Sequence, residues 1–386
     1  MGSENIFVVC DRNVETLARS LAPGCPLLAI VADEEHKNMD TVLGICRWLL
    51  ECGADRDAVV YAVGGGVTTD MAGFAASIYK RGVRYVNYPT TLLCQVDAGI
   101  GGKTGVNLDG YKNILGVINF PLETRILPQA LETLPERELR SGAAEMLKTF
   151  IIKDGGNYRK AVEALSRDKV DTDELAPLIE AAAQVKREIV AQDPTEKGLR
   201  RVLNLGHTFA HAIEWYQHGH TRPAAAAADG RTSDRTCHEN PTATRTVAAS
   251  AAASVAETAA ASAAASEAET AAASAASAAA SATTPAAASS AGSAPYSHGE
   301  AVAIGIIQAA RISEELGIAA QGLAERLAED FRACRLPVEL PCRAQLLEQA
   351  IWKDKKAEHG IIHFVLIEDI GTVIIKDLDD LHLHTE

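Results

Sequence analysis

The chain has 386 residues, with 37 basic and 51 acidic side chains and a formal net charge of −14. This acidic balance argues against a general nucleic-acid binder, which needs a basic surface to replace condensed counterions. No apolar run approaches the roughly 20 residues of a membrane-spanning helix and no signal peptide opens the chain, so we expect a cytoplasmic protein with no membrane partner.

The first part of the chain alternates short apolar runs with helical patterns. Apolar residues at helical spacing predict a helix over residues 39–52. Four apolar runs are typical of buried strands, at residues 6–10, 27–31, 58–63 and 85–88. Strands that alternate with helices indicate a mostly parallel sheet covered on both faces. We therefore predict an α/β domain over residues 1–127.

Helical patterns dominate after residue 127. Apolar periodicity predicts helices over residues 141–153, 174–192, 205–216, 298–316 and 322–334. Two late apolar runs around Asp369-Ile370-Gly371, at residues 361–367 and 372–375, predict a small hairpin. We predict a mainly helical second domain over residues 128–386, with a cleft between the two domains.

One segment of this second domain has a different composition. Residues 222–296 are rich in Ala, Ser and Thr, with recurring AAAS and AET units. Alanine buries too little apolar area to offset the entropy of ordering a backbone. We predict a low-complexity insertion that leaves activity intact, since each doubling of a loop adds only about 0.6 kcal/mol.

Three glycines, Gly64 to Gly66, follow the third predicted strand. Glycine allows a phosphate to approach the backbone closely, and the next helix offers free N–H groups at its start. The spacing is not the GxGxxG pattern of ordinary dinucleotide-binding folds. From the glycines alone, a phosphate site and a simple tight turn both remain open.

A long polar, glycine-rich segment follows at residues 89–113. It contains Asp97, Lys103, Lys112 and Asn113. Loops of this length inside a compact domain are usually functional. We predict a loop that folds back around a ligand.

The helical part carries residues of the kind that bind metals. His207 and His211 are four residues apart on one helix face, and His298 and Glu300 open the next helix. A catalytic zinc site takes three protein ligands and keeps one position open. Glu145, His207 and His298 are one such set, but spacing alone does not decide which of these side chains bind the metal.

Basic residues stand near the same motifs: Lys148, Lys186, Arg187, Arg200, Arg201 and the DKK run at residues 354–356. In an acidic protein, such residues favour an anionic substrate, because guanidinium and ammonium groups hold carboxylate or phosphate. The alternative interpretation is a set of solvated helix faces.

Taken in order, these motifs resemble the 3-dehydroquinate synthase family over roughly residues 6–375, apart from the insertion. The matching stretches are GGGVTTDMAGFAAS, KRGVRYVNYPTTLLCQVDAGIGGKTGVN, LPERELRSGAAEMLK, LNLGHTFAHAIE and HGEAVAIG. The resemblance implies an α/β NAD-binding domain and a helical metal-binding domain. It also implies a carbon–oxygen lyase of the shikimate pathway, which converts 3-deoxy-D-arabino-heptulosonate 7-phosphate to 3-dehydroquinate and phosphate.

The family pattern implies NAD and a divalent metal, with zinc expected and cobalt possible. The implied metal ligands are Glu145, His207 and His298, and His211 is implied to be an active-site histidine that binds no metal. Implied substrate contacts are Asp97, Lys103, Lys148, Lys186, Arg200, Asn204, Arg81 on phosphate and Lys355. Implied nucleotide contacts are Glu34, Lys37, Gly65, Gly66, Asp70, Thr90, Thr91, Asp97, Lys103 and Lys112.

Three alternatives compete with this interpretation. A glycerol dehydrogenase-like, NAD- and metal-dependent alcohol dehydrogenase needs no cluster of phosphate-binding lysines. Another sugar-phosphate cyclase acts on a substrate without the carboxylate. A scaffold with a defunct site does not require every chemistry position to be filled. We expect a homodimer that binds a small phosphosugar, as relatives commonly do.

Overall fold

The computed structural model of the chain describes residues 5–219, 295–343, 346–347, 351 and 362–378. Nearly all of the predicted insertion lies outside these residues, as does the implied substrate contact Lys355. The described residues fall in one unit, Met1–Arg222 with Pro295–Glu386. None of the helices described in this unit carries an apolar stretch long enough to cross a bilayer.

Strands and helices alternate at first, and helices dominate afterwards. The strands are β1 Ile6–Asp11, β2 Leu27–Ile30, β3 Val59–Gly64, β4 Arg84–Pro89, β5 Lys103–Leu108, β6 Tyr111–Ile118, β7 Glu123–Thr124, β8 Ile362–Asp369 and β9 Thr372–Leu378. The helices are α1 Glu15–Leu21, α2 Met39–Glu51, α3 Gly66–Ile78, α4 Glu136–Lys153, α5 Gly155–Leu165, α6 Thr172–Gln192, α7 His207–Gly219, α8 His298–Glu315 and α9 Leu323–Ala333.

The predicted parallel sheet is confirmed, in the order β2-β1-β3-β4-β7. Alternate residues of β1 enter two different cores: Phe7 and Val9 pack with α2 and α3, whereas Val8 and Cys10 pack with α1. Both faces are therefore covered, which explains why the strands have continuous apolar runs. The chain places β2 on one side of β1 and then β3 on the other side, so the strand order reverses at the carboxyl end of β1. In α/β folds, ligands bind in the crevice at such a reversal.

Residues 89–113 do not form the predicted loop. A π-helical turn, Cys94–Ala98, is followed by an antiparallel hairpin of β5 and β6. Asp109 and Gly110 both have positive φ at its turn, as a tight hairpin connection requires. A Cβ on Gly105 would lie 2.5 Å from the Leu115 carbonyl oxygen, so this glycine serves close strand pairing.

The helical part is built around α4 and α8. Both helices are buried over most of their length, α4 from Arg140 to Ile152. The predicted helices correspond to α4 and to α6 through α9, with α4 beginning five residues earlier than predicted. The late hairpin is confirmed as β8 and β9. The domain boundary near residue 127 stays a prediction.

Candidate active site

Three helices bring one carboxylate and two imidazoles together. Glu145 lies in the buried middle of α4, and His207 and His298 are the first residues of α7 and α8. One potential ligand atom from each lies within 4.8 Å of the other two. The Nε2 atoms of His298 and His207 are 3.4 Å and 3.8 Å from the same oxygen of Glu145, Oε1.

The remaining nitrogens of both imidazoles have acceptors. His298 Nδ1 lies 3.1 Å from Glu214 Oε1, and His207 Nδ1 lies 3.2 Å from the Leu205 carbonyl oxygen. Histidines that bind metals usually donate this second N–H to a carboxylate or carbonyl, which leaves Nε2 as the ligand atom. Both oxygens of the buried Glu145 lack a well-aligned hydrogen-bond donor among the described residues. These residues therefore fit a divalent ion of the zinc type.

Electrostatics support the same interpretation. Burial raises the pKa of Glu145, but Lys148 and the two histidines more than offset this, so the pKa lies below its usual value. Burial lowers the pKa of His207. Burial also opposes a charge on His298, yet Glu145 and Glu214 raise its pKa to about 9. The two carboxylates beside His298 therefore favour positive charge in this cluster.

A line of buried charges extends from this cluster. Lys148 Nζ lies 2.5 Å from Glu145 Oε2 and 3.5 Å from Asp97 Oδ2. The other oxygen of Asp97 pairs with Lys186 of α6. Burial and the charge of Arg200 lower the pKa of Lys186 to about 7. Two buried ammonium groups are thus held by one carboxylate beside the metal-type cluster.

Arg200 is also buried, and two backbone carbonyls accept hydrogen bonds from its guanidinium. Its Nη1 donates to the Pro194 carbonyl at 2.8 Å, and its Nη2 donates to the Gly101 carbonyl at 3.0 Å. Gly101 has a φ of 116°, and a Cβ there would lie 2.6 Å from Arg200 Nη2. The turn before β5 therefore fits directly against this guanidinium.

Glu196 is a functional candidate that the sequence interpretation missed. It pairs with Lys103, and its Oε1 accepts a hydrogen bond from Asn204 Nδ2 at 3.3 Å. Its φ of 58° is unusual for a residue with a side chain. Strain of this kind concentrates at functional sites. Glu196 thus joins two of the implied substrate contacts, and no motif marked it in the sequence.

The glycine turn after β3 is tightly packed by its own neighbours. A Cβ on Gly65 would lie 3.0 Å from Thr91, and one on Gly66 would lie 3.2 Å from Ala98. The N–H of Thr90 donates to the last carbonyl of β3 at 2.9 Å. Neighbouring side chains therefore leave little room at Gly65 and Gly66. The tight-turn and the phosphate interpretations both stay predictions.

Other implied nucleotide contacts meet at the β5–β6 hairpin. Lys37 Nζ lies 2.6 Å from both Asp70 Oδ2 and Asn113 Oδ1. Asn107 Nδ2 donates to Glu34 Oε1 at 2.8 Å. The hairpin is thereby fastened to α3 and to the segment after β2. These contacts lie on the side of the sheet where its strands end.

The implied phosphate contact Arg81 lies away from the buried lysines. It is exposed just before β4, at the end of the parallel sheet opposite the glycine turn, so this chain does not bring it to those lysines.

Two further side chains of α7 lie near the cluster. His211 lies one turn after His207, with ring centroids 5.7 Å apart. Glu214, which contacts His298, was not predicted, although it follows His207 by two helical turns in the quoted LNLGHTFAHAIE.

Comparison with known sequences identifies close similarity over most of the chain. Family models of the 3-dehydroquinate synthase N-terminal and C-terminal parts match residues 27–141 and residues 142–276 with 284–357. A 3-dehydroquinate synthase of Legionella pneumophila is 33% identical over 384 residues, covering 97% of this chain and 84% of the relative. That of Geotalea uraniireducens is 33% identical over 354 residues, covering 90% and 77%.

Two solved structures share the architecture. The 2-epi-5-epi-valiolone synthase of Streptomyces hygroscopicus, with NAD+ and Zn2+ bound, has a TM-score of 0.70 and 26% identity, covering 98% of this chain and 88% of the other. A 2-deoxy-scyllo-inosose synthase complexed with carbaglucose-6-phosphate, NAD+ and Co2+ has a TM-score of 0.71 and 19% identity, covering 98% and 89%. The second likeness concerns the two-domain fold alone.

Proposed function

The chain belongs to the 3-dehydroquinate synthase family, and we propose that it converts 3-deoxy-D-arabino-heptulosonate 7-phosphate to 3-dehydroquinate and phosphate. The reaction eliminates phosphate, which makes the enzyme a carbon–oxygen lyase of aromatic amino-acid biosynthesis. The observation that carries this proposal is the metal-type cluster of Glu145, His207 and His298 directly beside the buried Lys148 and Lys186.

The charges of the site suit a substrate with both a phosphate and a carboxylate. Lys103, Lys148, Lys186 and Arg200 face four carboxylates, those of Asp97, Glu145, Asp193 and Glu196. With a divalent ion added, positive charge is in excess and needs an anionic ligand. A simple alcohol carries no negative charge to balance this excess, which disfavours a glycerol dehydrogenase-like activity.

Glu145, His207 and His298 would hold the metal, which we propose to be zinc because of the mixed imidazole and carboxylate donors. When bound, the metal polarises an alcohol or carbonyl oxygen, and NAD reversibly accepts a hydride. For NAD we propose the implied contacts around the turn after β3, including Lys37 and Asp70. Two features support this proposal: the turn lies where the strand order reverses, and it leads into the N-terminus of α3.

The protein's own groups then orient and neutralise the substrate. Asp97 holds the ammonium groups of Lys148 and Lys186 in place before any ligand arrives. Preset charges of this kind stabilise an anion without the cost of reorganisation. The guanidinium of Arg200 is fixed by two backbone carbonyls, which leave other N–H groups for a ligand. We propose that these cations hold the substrate's phosphate and carboxylate while its secondary alcohol faces the metal ligands.

We further propose a cytoplasmic homodimer. Large apolar side chains stand exposed on β6 and on the segment that follows it, among them Tyr111, Ile114, Phe120 and Leu122. Exposed apolar rows of this size are typical of protein interfaces. Six cysteines of the described residues are free thiols, as expected in a reducing compartment: Cys10, Cys46, Cys52, Cys94, Cys334 and Cys342.

Complementation tests this function in the cell. The chain is expressed in a bacterium whose own 3-dehydroquinate synthase has been deleted, on medium without aromatic amino acids. We expect growth with the wild-type chain and none with His298→Ala at equal expression. Failure of the wild-type chain to restore growth, when it is soluble and loaded with metal, would contradict the proposal.

A further inference from the structure

Glu214 is a buried carboxylate placed behind a metal-type histidine. It lies on α7, two turns after His207. Its Oε1 is 3.1 Å from His298 Nδ1 and 3.4 Å from Lys112 Nζ of β6. One oxygen therefore contacts both the first residue of α8 and the nucleotide-side hairpin.

Glu214 does not stand where a ligand would. The atom it approaches is Nδ1, whereas the Nε2 atom of His298 faces Glu145. Glu214 is not one of the three residues whose ligand atoms cluster within 4.8 Å. A carboxylate in this position accepts the Nδ1 proton and leaves the Nε2 lone pair directed at the cluster.

His298 depends on this contact more than His207 does. The side chain of His298 is 36% exposed, compared with 15% for His207. The Nδ1 atom of His207 lies beside a backbone carbonyl, which no substitution removes. The Nδ1 contact of His298 is made instead by a replaceable side chain, that of Glu214.

We propose that Glu214 is a positioning residue that fixes the tautomer and ring orientation of His298 for metal binding. The proposal rests on the metal assignment made above for the proposed function. Lys112 contributes by holding the same Glu214 oxygen from the other side. In metalloproteins, removal of a side chain that hydrogen-bonds a metal ligand typically lowers metal affinity about ten- to a hundredfold.

The test measures metal affinity and does not require turnover. Metal-free wild type, Glu214→Ala and Glu214→Gln are titrated with Zn2+ against a competing chelator, and the visible spectrum of the Co2+ form is recorded. Glu300→Gln is the matched control: Glu300 is a carboxylate on α8 that caps the Ser297 N–H and pairs with Arg137, without contacting His298. Thermal unfolding of each metal-free variant reports its fold.

We expect Glu214→Ala to weaken zinc binding about ten- to a hundredfold and to change the cobalt spectrum. Glu214→Gln keeps the side-chain volume and one acceptor, so it should fold as the wild type does. Because it loses the negative charge beside His298, it should bind zinc at least about threefold more weakly. Glu300→Gln should match wild type. Unchanged affinity and spectrum in folded Glu214→Gln, or an equal loss in Glu300→Gln, would overturn the proposal. Wild-type turnover, assayed separately, tests the proposed function itself.

Discussion

Lys148 and Lys186 carry their ammonium groups where water has little access, with side chains 1% and 9% exposed. A buried charge is costly unless it is paired. Asp97 pairs with both lysines, and Glu145 pairs with Lys148 as well. Each charge thus has a partner in the free protein, and the cluster keeps the orientation that an anionic substrate needs.

The lowered pKa of Lys186 predicts a pH dependence. Its ammonium group is charged below about pH 7 and loses its proton as the pH rises through that value. We expect kcat/KM for the phosphosugar to fall by up to about tenfold per pH unit above this point. In Lys186→Met, kcat/KM should be low and flat over the same window. An unchanged pH profile in this variant would show that another group titrates.

The same shift has a consequence for stability. Between about pH 7 and the usual lysine value of 10.5, the unfolded chain binds a proton at Lys186 that the folded chain has released. Stability should therefore rise with pH across this window. Chemical denaturation of the wild type and of Lys186→Met at pH 7 and pH 9 checks the sign, since the variant lacks this contribution.

Paired histidine variants separate metal binding from catalysis. His298→Ala should lose the metal and the activity while keeping its fold, because it removes one of three ligands from the cluster. His211→Ala, one turn beyond His207, should keep the metal and lose turnover. Metal content of the purified variants and their far-UV spectra decide between these outcomes. Retention of zinc in His298→Ala would show that the ligand assignment is wrong.

At the level of elements, the turn before β5 connects the sheet region with the helical region. Gly101 carries a carbonyl that accepts from Arg200, and its φ of 116° leaves no room for a side chain beside that guanidinium. Position and conformation of this turn thus determine where Arg200 lies.

Gly101→Ala should therefore impair substrate binding through Arg200. A Cβ 2.6 Å from Nη2 must displace the guanidinium, and we expect KM to rise about tenfold or more, the equivalent of roughly one lost charge-assisted hydrogen bond. Gly53→Ala is the control, since Gly53 also has positive φ, at 74°, with nothing within 4 Å of its Cβ position. Both variants should lose about 1–2 kcal/mol of stability. An equal KM for both would contradict the role of this contact.

Regular elements were predictable where one pattern decides them. The apolar runs of β1 and β3 and the helical spacing of α2 follow directly from burial on two faces or on one. The β5–β6 hairpin differs from the predicted loop, because its glycines favour irregular backbone while Asp109-Gly110 is a strong hairpin-turn signal. The contact of Glu214 with His298 depends on the packing of α7 against α8, which no local pattern records.

Across the whole molecule, the metal-type residues lie on helices that form the centre of the helical core. Helices α4 and α8 are buried on nearly every face, so Glu145 and His298 are carried by rigid elements. The family motifs in the sequence implied all three residues that we propose as ligands. Residue spacing alone did not single them out, because their meeting requires three helices that are distant in the chain.

Removal of the low-complexity segment tests whether this core works without it. We expect a chain lacking residues 224–294 to bind zinc with wild-type affinity and to keep its activity, because none of the residues assigned to the site lies within that range. Titration against a chelator and steady-state kinetics give the comparison. Abolished metal binding in a folded deletion variant would show that the segment is needed for the site.

The most direct test of the central claim follows phosphate release from 3-deoxy-D-arabino-heptulosonate 7-phosphate by the purified chain. The assay is run with NAD and zinc, without NAD, and with a chelator, while absorbance reports free NADH. We predict phosphate release that requires both cofactors and leaves no NADH behind, since the cofactor is regenerated in each cycle. Absence of release in the complete mixture, or release accompanied by equal amounts of NADH, would contradict the assignment.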